Sequence, residues 1–276
     1  MAHPTTEAPP VPTQGTAQAP ATPLPGSLEH WAAQRPDEIA VVDGEHSLTW
    51  AQWNDRANRV ADALARRGVT AGDIVALRTQ TRHEWLFVVE AAAKLGCAVL
   101  TFNWRLTAAE SRHILEDSRA VVLVLDDEDP ATLEAAWHGL GLKAVVSIDA
   151  PTPGLPMLAA LIAEGSPVQR LTARRPSLII YTSGTTGRPK GVSMGALAQT
   201  PELAEYQQSV RDTDPLHPGA CVLLTLPLHH GAGPNVCSAA LAGGNRLVMM
   251  RPCWRCTMPG RAWRQQFITP SRLTDR

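Results

Sequence analysis

The sequence has almost no net charge to offer a polyanion. Lysine and arginine total 25 against 26 aspartate and glutamate, a formal net charge of -1, so no global field draws the chain to nucleic acid or to an anionic membrane. It also lacks a run of about 18 apolar residues, and its N-terminus lacks the basic-then-apolar order of a secretory leader. Both absences lead us to expect a soluble, cytoplasmic protein with no transmembrane segment. The 5 cysteines have no regular spacing, which suits a reducing compartment better than a disulfide framework. Lysine is the scarcest charged residue: Lys94, Lys143 and Lys190 are the only three, beside 22 arginines.

What is present supports a folded core. At 276 residues and 44% apolar content, the chain is long enough for one large domain or two ordinary ones. Residues 1–26 carry seven prolines among Ala, Thr and Gln with two large aliphatics, Val11 and Leu24; such a segment buries too little surface to offset its chain entropy and is expected to be a disordered tail. From residue 27 helix and strand signals alternate. Thr49 and Gln52 form a capping box before Trp53, Ala57, Val60, Ala61 and Leu64, which share one helix face, and Gly68 ends the helix. Residues 84–95 read as a buried helix stopped by Gly96, and Thr107 with Glu110 makes a second capping box. Short apolar runs at 74–77, 97–102, 120–125, 143–148, 178–182, 222–226 and 247–250 read as strands. Apolar runs separated by helices indicate parallel strands covered on both faces, so the expected class is α/β.

One stretch concentrates chemistry. Residues 181–192 read YTSGTTGRPKGV, with five hydroxyl residues, three glycines and Lys190 directly after an apolar strand. A strand running into such a loop presents backbone N–H groups and hydroxyls together, which suits phosphate oxygens, and a lysine in an arginine-preferring chain offers a compact point charge. An ordinary Gly/Ser/Thr loop is one reading. A Walker A loop is a second, but Pro189 before Lys190 and Gly191 after it break the Gly-Lys-Ser/Thr order that loop needs. A different nucleotide loop is the third, and it is the most specific.

The run TSGTTGRPKG, 182–191, resembles the phosphate-loop signature of the adenylate-forming superfamily, and the chain from 27 to 250 is similar to the N-terminal part of that family, nearest to fatty-acid and other acyl-CoA synthetases. The stretches 28–77, 94–124 and 226–250 carry the likeness outside the loop. The resemblance implies the family's large N-terminal α/β domain, incomplete, over 27–250. It implies ATP-dependent activation of a small-molecule carboxylic acid to an acyl-adenylate, with Mg2+, and transfer of the acyl group to coenzyme A. Thr182, Ser183, Gly184, Thr185, Thr186, Gly187 and Lys190 are then the residues that hold the β- and γ-phosphates, and Lys190 the candidate catalytic residue. His229 and His230 fall where the family borders its acyl pocket, and ordinary loop packing is the competing reading for them. Adjacent histidines do not point together, so no metal is assigned to them. A histidine that the family often carries just after the loop is absent from 193–197.

Two features qualify the implied activity. The family's later adenine-binding, magnesium-binding and ribose-binding motifs, and its small C-terminal domain, have no counterpart in this sequence. Residues 251–276 change character, with six arginines, Cys253 and Cys256 in CWRC, Trp254 and Trp263, and no convincing period. CWRC lacks a second ligand pair, so it is read as coincidence. The break at Arg251 suggests either out-of-frame text or a genuine short tail. The expectation is a fragment of a ligase that is inactive alone, with an exposed sheet edge. The alternatives are a non-catalytic nucleotide-binding module, or the N-terminal half of a split ligase completed by a separate C-terminal polypeptide.

Overall fold

The computed structural model of the chain describes residues 22–172, 177–182, 189–193 and 219–250. Helix α1 (Leu28–Gln34) opens at Ser27, whose Oγ accepts a hydrogen bond from His30 N at 3.2 Å. Strands β1 (Ile39–Asp43) and β2 (His46–Thr49) form an antiparallel hairpin with Asp43 opposite His46. Gly44, first in the two-residue turn, has φ 62°, as the turns that match strand twist require. Asp43-Gly44 is a hairpin signal that a search for parallel strands overlooks.

The expected capping box starts α2 (Trp50–Arg66): Thr49 Oγ1 accepts from Gln52 N at 3.2 Å and Gln52 Oε1 accepts from Thr49 N at 3.0 Å. Trp53, Ala57, Val60, Ala61 and Leu64 are all buried, as their spacing predicts. Then follow β3 (Ile74–Arg78), α3 (His83–Lys94), β4 (Ala98–Thr101) and α4 (Ala108–Ser118), the last opened by the second expected box, Thr107 with Glu110. The order continues with β5 (Val122–Leu125), a 3-10 helix (Pro130–Ala136), β6 (Ala144–Ser147) and α5 (Leu158–Glu164). After these come β7 (Leu178–Thr182), β8 (Lys190–Ser193), β9 (Cys221–Leu224), α6 (Ala232–Gly243) and β10 (Arg246–Met249).

The strands make two sheets, ordered β6-β5-β3-β4-β7-β8 and β2-β1-β10-β9. Parallel pairing holds throughout except at one edge strand of each sheet, β8 and β2, which run antiparallel. The sheets are therefore parallel-rich, as expected; both antiparallel exceptions return along the strand just before them, which no apolar run announces. The strand expected at 222–226 begins and ends earlier, because 225–227 leave the sheet toward the site described below. Alternation along β3, β4 and β5 sorts side chains to two faces. Val75, Leu77, Val99, Val122 and Val124 join α2, α3 and the smaller sheet's Val41 and Leu247 in one core. Ile74, Ala76, Ala98, Leu100, Leu123 and Leu125 join Ile114 and Leu115 of α4 in the other. The larger sheet is therefore covered on both faces, the condition under which parallel strands are stable.

Of the expected N-terminal tail, residues 22–26 are described and turn into α1, with Ser27 N donating to Leu24 O at 3.0 Å. Residues 1–21 and 251–276, with the CWRC run, lie outside the described residues. Among the described residues no helix is long and apolar enough to cross a membrane.

Candidate functional site

A polar strap delivers the chain to β7. Segment 165–172 runs along α2, where Asp62 Oδ2 accepts from Ser166 N at 2.9 Å and Arg59 Nη1 donates to Gly165 O at 3.1 Å. Gln169 Oε1 accepts from both Asn54 Nδ2 and Asn58 Nδ2, at 2.9 and 3.1 Å. Deeper in, Lys94 pairs with Glu29 and donates to Asn54 Oδ1 and Arg170 O, each at 2.9 Å. Glu29 also accepts from Thr172 Oγ1 at 2.9 Å. Burial works against both charges of the pair. At Glu29 the Lys94 charge and hydrogen bonds overcome it and hold the carboxyl below the usual glutamate range, whereas at Lys94 burial prevails and pulls the ammonium below the usual lysine value. Acid stability follows the Glu29 carboxyl, the member of the pair that titrates on the acid side. A cavity of about 480 Å³ opens beside the strap, lined in part by Glu29, Asp55 and Asn58; none of its lining residues belongs to β7 or β8, and its two carboxylates have the wrong sign for phosphate.

Strand β7 pairs with β4 on one side, Thr101 opposite Ile180, and with β8 on the other, Thr182 opposite Lys190. Ser177 and Ser193 close the base of this hairpin with a 2.8 Å hydrogen bond between their hydroxyls. Gly191 faces Tyr181 across the ladder, and a Cβ there would stand 3.1 Å from the tyrosine ring, so the lysine is followed by a residue small enough to admit that ring. Tyr181 was grouped by sequence with the loop hydroxyls. The structure corrects this: its hydroxyl donates to Asp117 Oδ2 of α4 at 2.5 Å, and burial with the Asp117 charge pushes the phenol pKa well up. Lys190 is exposed and has no ion-pair partner among the described residues. Ser183, Gly184, Thr185, Thr186, Gly187 and the Thr182 side chain lie outside the described residues, and the hairpin fixes both ends of that run.

The histidine segment meets the same edge. Thr101 Oγ1, at the carboxyl end of β4, donates to Leu228 O at 2.9 Å and accepts from Trp85 Nε1 at 3.4 Å. Gly231 lies so close to Ile180 that a Cβ would stand 3.3 Å from its Cδ1, and Gly233 so close to Pro227 that a Cβ would stand 2.2 Å from its carbonyl oxygen. Leu228 is fully buried, His229 half-buried and His230 exposed. Burial, then the neighbouring His230 and Arg105, lowers the His229 pKa below its ordinary value, so the ring is neutral at physiological pH. Thr101 and Trp85, which hold this segment, escaped sequence reasoning because nothing local distinguishes them from core residues. Sheets of this kind place ligands at the carboxyl ends of their parallel strands, the edge at which Thr182 pairs with Lys190 and Thr101 holds Leu228.

The model of the AMP-binding enzyme family matches residues 28–267. The chain is 32% identical over 250 residues to an indoleacetate–CoA ligase of Aromatoleum aromaticum, covering 88% of this chain and 48% of that protein. To a 2-succinylbenzoate–CoA ligase of Geobacillus kaustophilus it is 31% identical over 230 residues, covering 81% and 42%. Among solved structures, the anthranilate CoA ligase AuaEII in complex with anthranoyl-AMP superposes with a TM-score of 0.70 at 25% identity, covering 83% of this chain and 45% of that one. A fatty acyl CoA synthetase of Mycobacterium tuberculosis gives 0.67 at 27% identity, covering 81% and 44%. The chain thus spans about half the length of the curated relatives it matches. With a family model matched over residues 28–267 and an α/β fold shared over four-fifths of its length with CoA ligases, the chain belongs to the AMP-binding enzyme family of adenylate-forming ligases.

Proposed function

We propose that this chain supplies the phosphate-binding and acyl-facing part of an AMP-forming acid–CoA ligase. In that reaction a carboxylate oxygen attacks the α-phosphorus of ATP, the bond to the bridging oxygen breaks, and pyrophosphate leaves; the thiol of coenzyme A then takes the acyl group and AMP departs. An anion approaching a polyanion needs charge neutralisation and in-line positioning. Lys190 supplies the charge. Its ammonium stands exposed and without a described partner opposite Thr182, at the carboxyl edge of the parallel strands, and this placement is the observation that carries the proposal. Thr182, Ser183, Gly184, Thr185, Thr186 and Gly187 hold the β- and γ-phosphates with Lys190, and Mg2+ travelling with ATP shares the neutralisation. The neutral, half-buried ring of His229 suits the wall of an acyl pocket, where a charged ring would bind the carboxylate in the wrong place; His230, exposed, takes a rim position. Indoleacetate, 2-succinylbenzoate and anthranilate are named in relatives, and a fatty acyl group in another. The substrate class is therefore an aromatic or aliphatic carboxylic acid, met in the cytoplasm.

Relatives distribute their activity over about twice this length, so the chain alone is expected to bind ATP and to give little pyrophosphate exchange. The test is ATP–pyrophosphate exchange with a panel of such acids, for the chain alone and with a separately expressed C-terminal polypeptide of a relative. Exchange restored by the added piece, and reduced about 100-fold or more by Lys190→Ala, supports the proposal. ATP binding with no exchange in any combination makes the chain a nucleotide-binding module instead, and no ATP binding at all refutes both readings.

A further inference from the structure

Away from the hairpin, the β1–β2 turn meets the first residues of α3, and the meeting point gathers metal-ligating groups of two kinds. Asp43 Oδ2, His83 Nδ1 and one oxygen of Glu84 lie within 4.8 Å of one another. His83 Nδ1 is 2.9 Å from Asp43 Oδ2 and 3.4 Å from Glu84 Oε2. Asp43 and His83 are buried and Glu84 is half-buried. A fourth donor stands beside them: the register of the hairpin sets His46 opposite Asp43, and its ring centroid lies 5.3 Å from that of His83. His46 is exposed, so its ring reaches the cluster by a side-chain rotation that the proposal requires.

We propose that Asp43, His83, Glu84 and His46 form a binding site for a borderline divalent cation of the zinc type. In a tetrahedral site with bonds of about 2.0–2.1 Å, donor atoms stand about 3.3 Å apart. The His83–Glu84 separation of 3.4 Å already matches, and the His83–Asp43 pair needs to open by about 0.4 Å. Two imidazoles select zinc over magnesium or calcium, which take oxygen ligands. Beside the cluster, Arg82 donates to both oxygens of Glu84, at 2.8 and 2.9 Å, and to Asp149 Oδ1 at 2.8 Å, and stands 3.5 Å from Asp126, so an ion bound there shares Glu84 with the guanidinium. A divalent ion added there takes the place of the hydrogen bond between His83 Nδ1 and Asp43 Oδ2.

Without metal, the same residues are held together by Arg82 and by His83 N, which donates to Asp43 Oδ2 at 3.0 Å. The two states are separated by titrating the 276-residue chain, stripped with chelator, with Zn2+ against a chromophoric competitor and with Co2+ for its optical spectrum. The expected result is one saturable equivalent with a tetrahedral Co2+ spectrum, and a melting temperature that rises with Zn2+. His46→Ala, which alters an exposed side chain, and His83→Gln are each expected to weaken binding tenfold or more, while the double variant His229→Ala/His230→Ala leaves it unchanged. Circular dichroism identifies a variant that has failed to fold, and the exposed His46→Ala then carries the decision. Absence of saturable binding by the intact chain, or unchanged affinity in a folded histidine variant, overturns the proposal.

Discussion

The three lysines meet different fates. Lys143 is tied to Asp73 at 2.6 Å and to Gly68 O at 2.8 Å, binding the start of β6 to the turn before β3. Lys94 is buried against Glu29. Lys190 stands exposed in an edge strand, so Lys190→Ala should leave stability within about 0.5 kcal/mol while removing phosphate binding; chemical denaturation beside ATP titration separates the two effects. Lys94→Met should behave oppositely, costing about 3–5 kcal/mol because it strands a buried carboxylate. Acid gives a second reading of the same pair. Since the folded Glu29 carboxyl lies below its ordinary value of 4.5, the stability it contributes is complete above that value and is lost as pH falls through the folded pKa. In Lys94→Met the carboxyl loses the partner that overcame burial, its pKa rises, and the stability difference from wild type should narrow on acidification. Denaturant midpoints measured from about pH 7 down to about pH 3 test both signs.

Among elements, the carboxyl end of β4 has the largest bearing on the site. Thr101 joins α3, through Trp85, to the segment bearing His229. Thr101→Val keeps the shape of the side chain and leaves both Leu228 O and Trp85 Nε1 without their partner, at a cost of about 1–3 kcal/mol. Thr101→Ser should recover most of that, and the His229 titration seen by NMR should shift toward the ordinary histidine value in the valine variant alone, as the ring loosens into water. Helix termini were the elements most legible in the sequence. Thr49 with Gln52 and Thr107 with Glu110 close their boxes within three residues, so nothing distant is needed to form them. β8 was not legible: KGVS is a strand only because Ile179 to Thr182 run beside it. α6 was equally hidden, since Gly233, Pro234 and Asn235 open AGPNVCSAALAG with turn-forming residues, and the helix buries Cys237, Ala240 and Leu241 in the core.

At the scale of the whole molecule, α2 and α3 form a layer shared by both sheets. Ala57 and Ala61 on α2 and Ala91 and Ala92 on α3 are fully buried in the one core that both helices share. Ala57→Leu should therefore cost about 1–3 kcal/mol by overpacking and lower the stability of both sheets together; far-ultraviolet dichroism and tryptophan fluorescence should then shift to one common midpoint. Separate transitions would show that the sheets are stabilised independently.

Sequence alone determined the α/β class, the two capped helices and the buried faces, because each is recorded by residues within a few positions of one another. Tertiary structure decided the rest. It turned the Tyr181 hydroxyl to Asp117, set Thr101 under Leu228 127 residues away, and brought Asp43 to His83 across 40. Such pairings depend on the order in which strands lie in a sheet, and strand order is fixed by the burial of whole faces, which no local run of residues records.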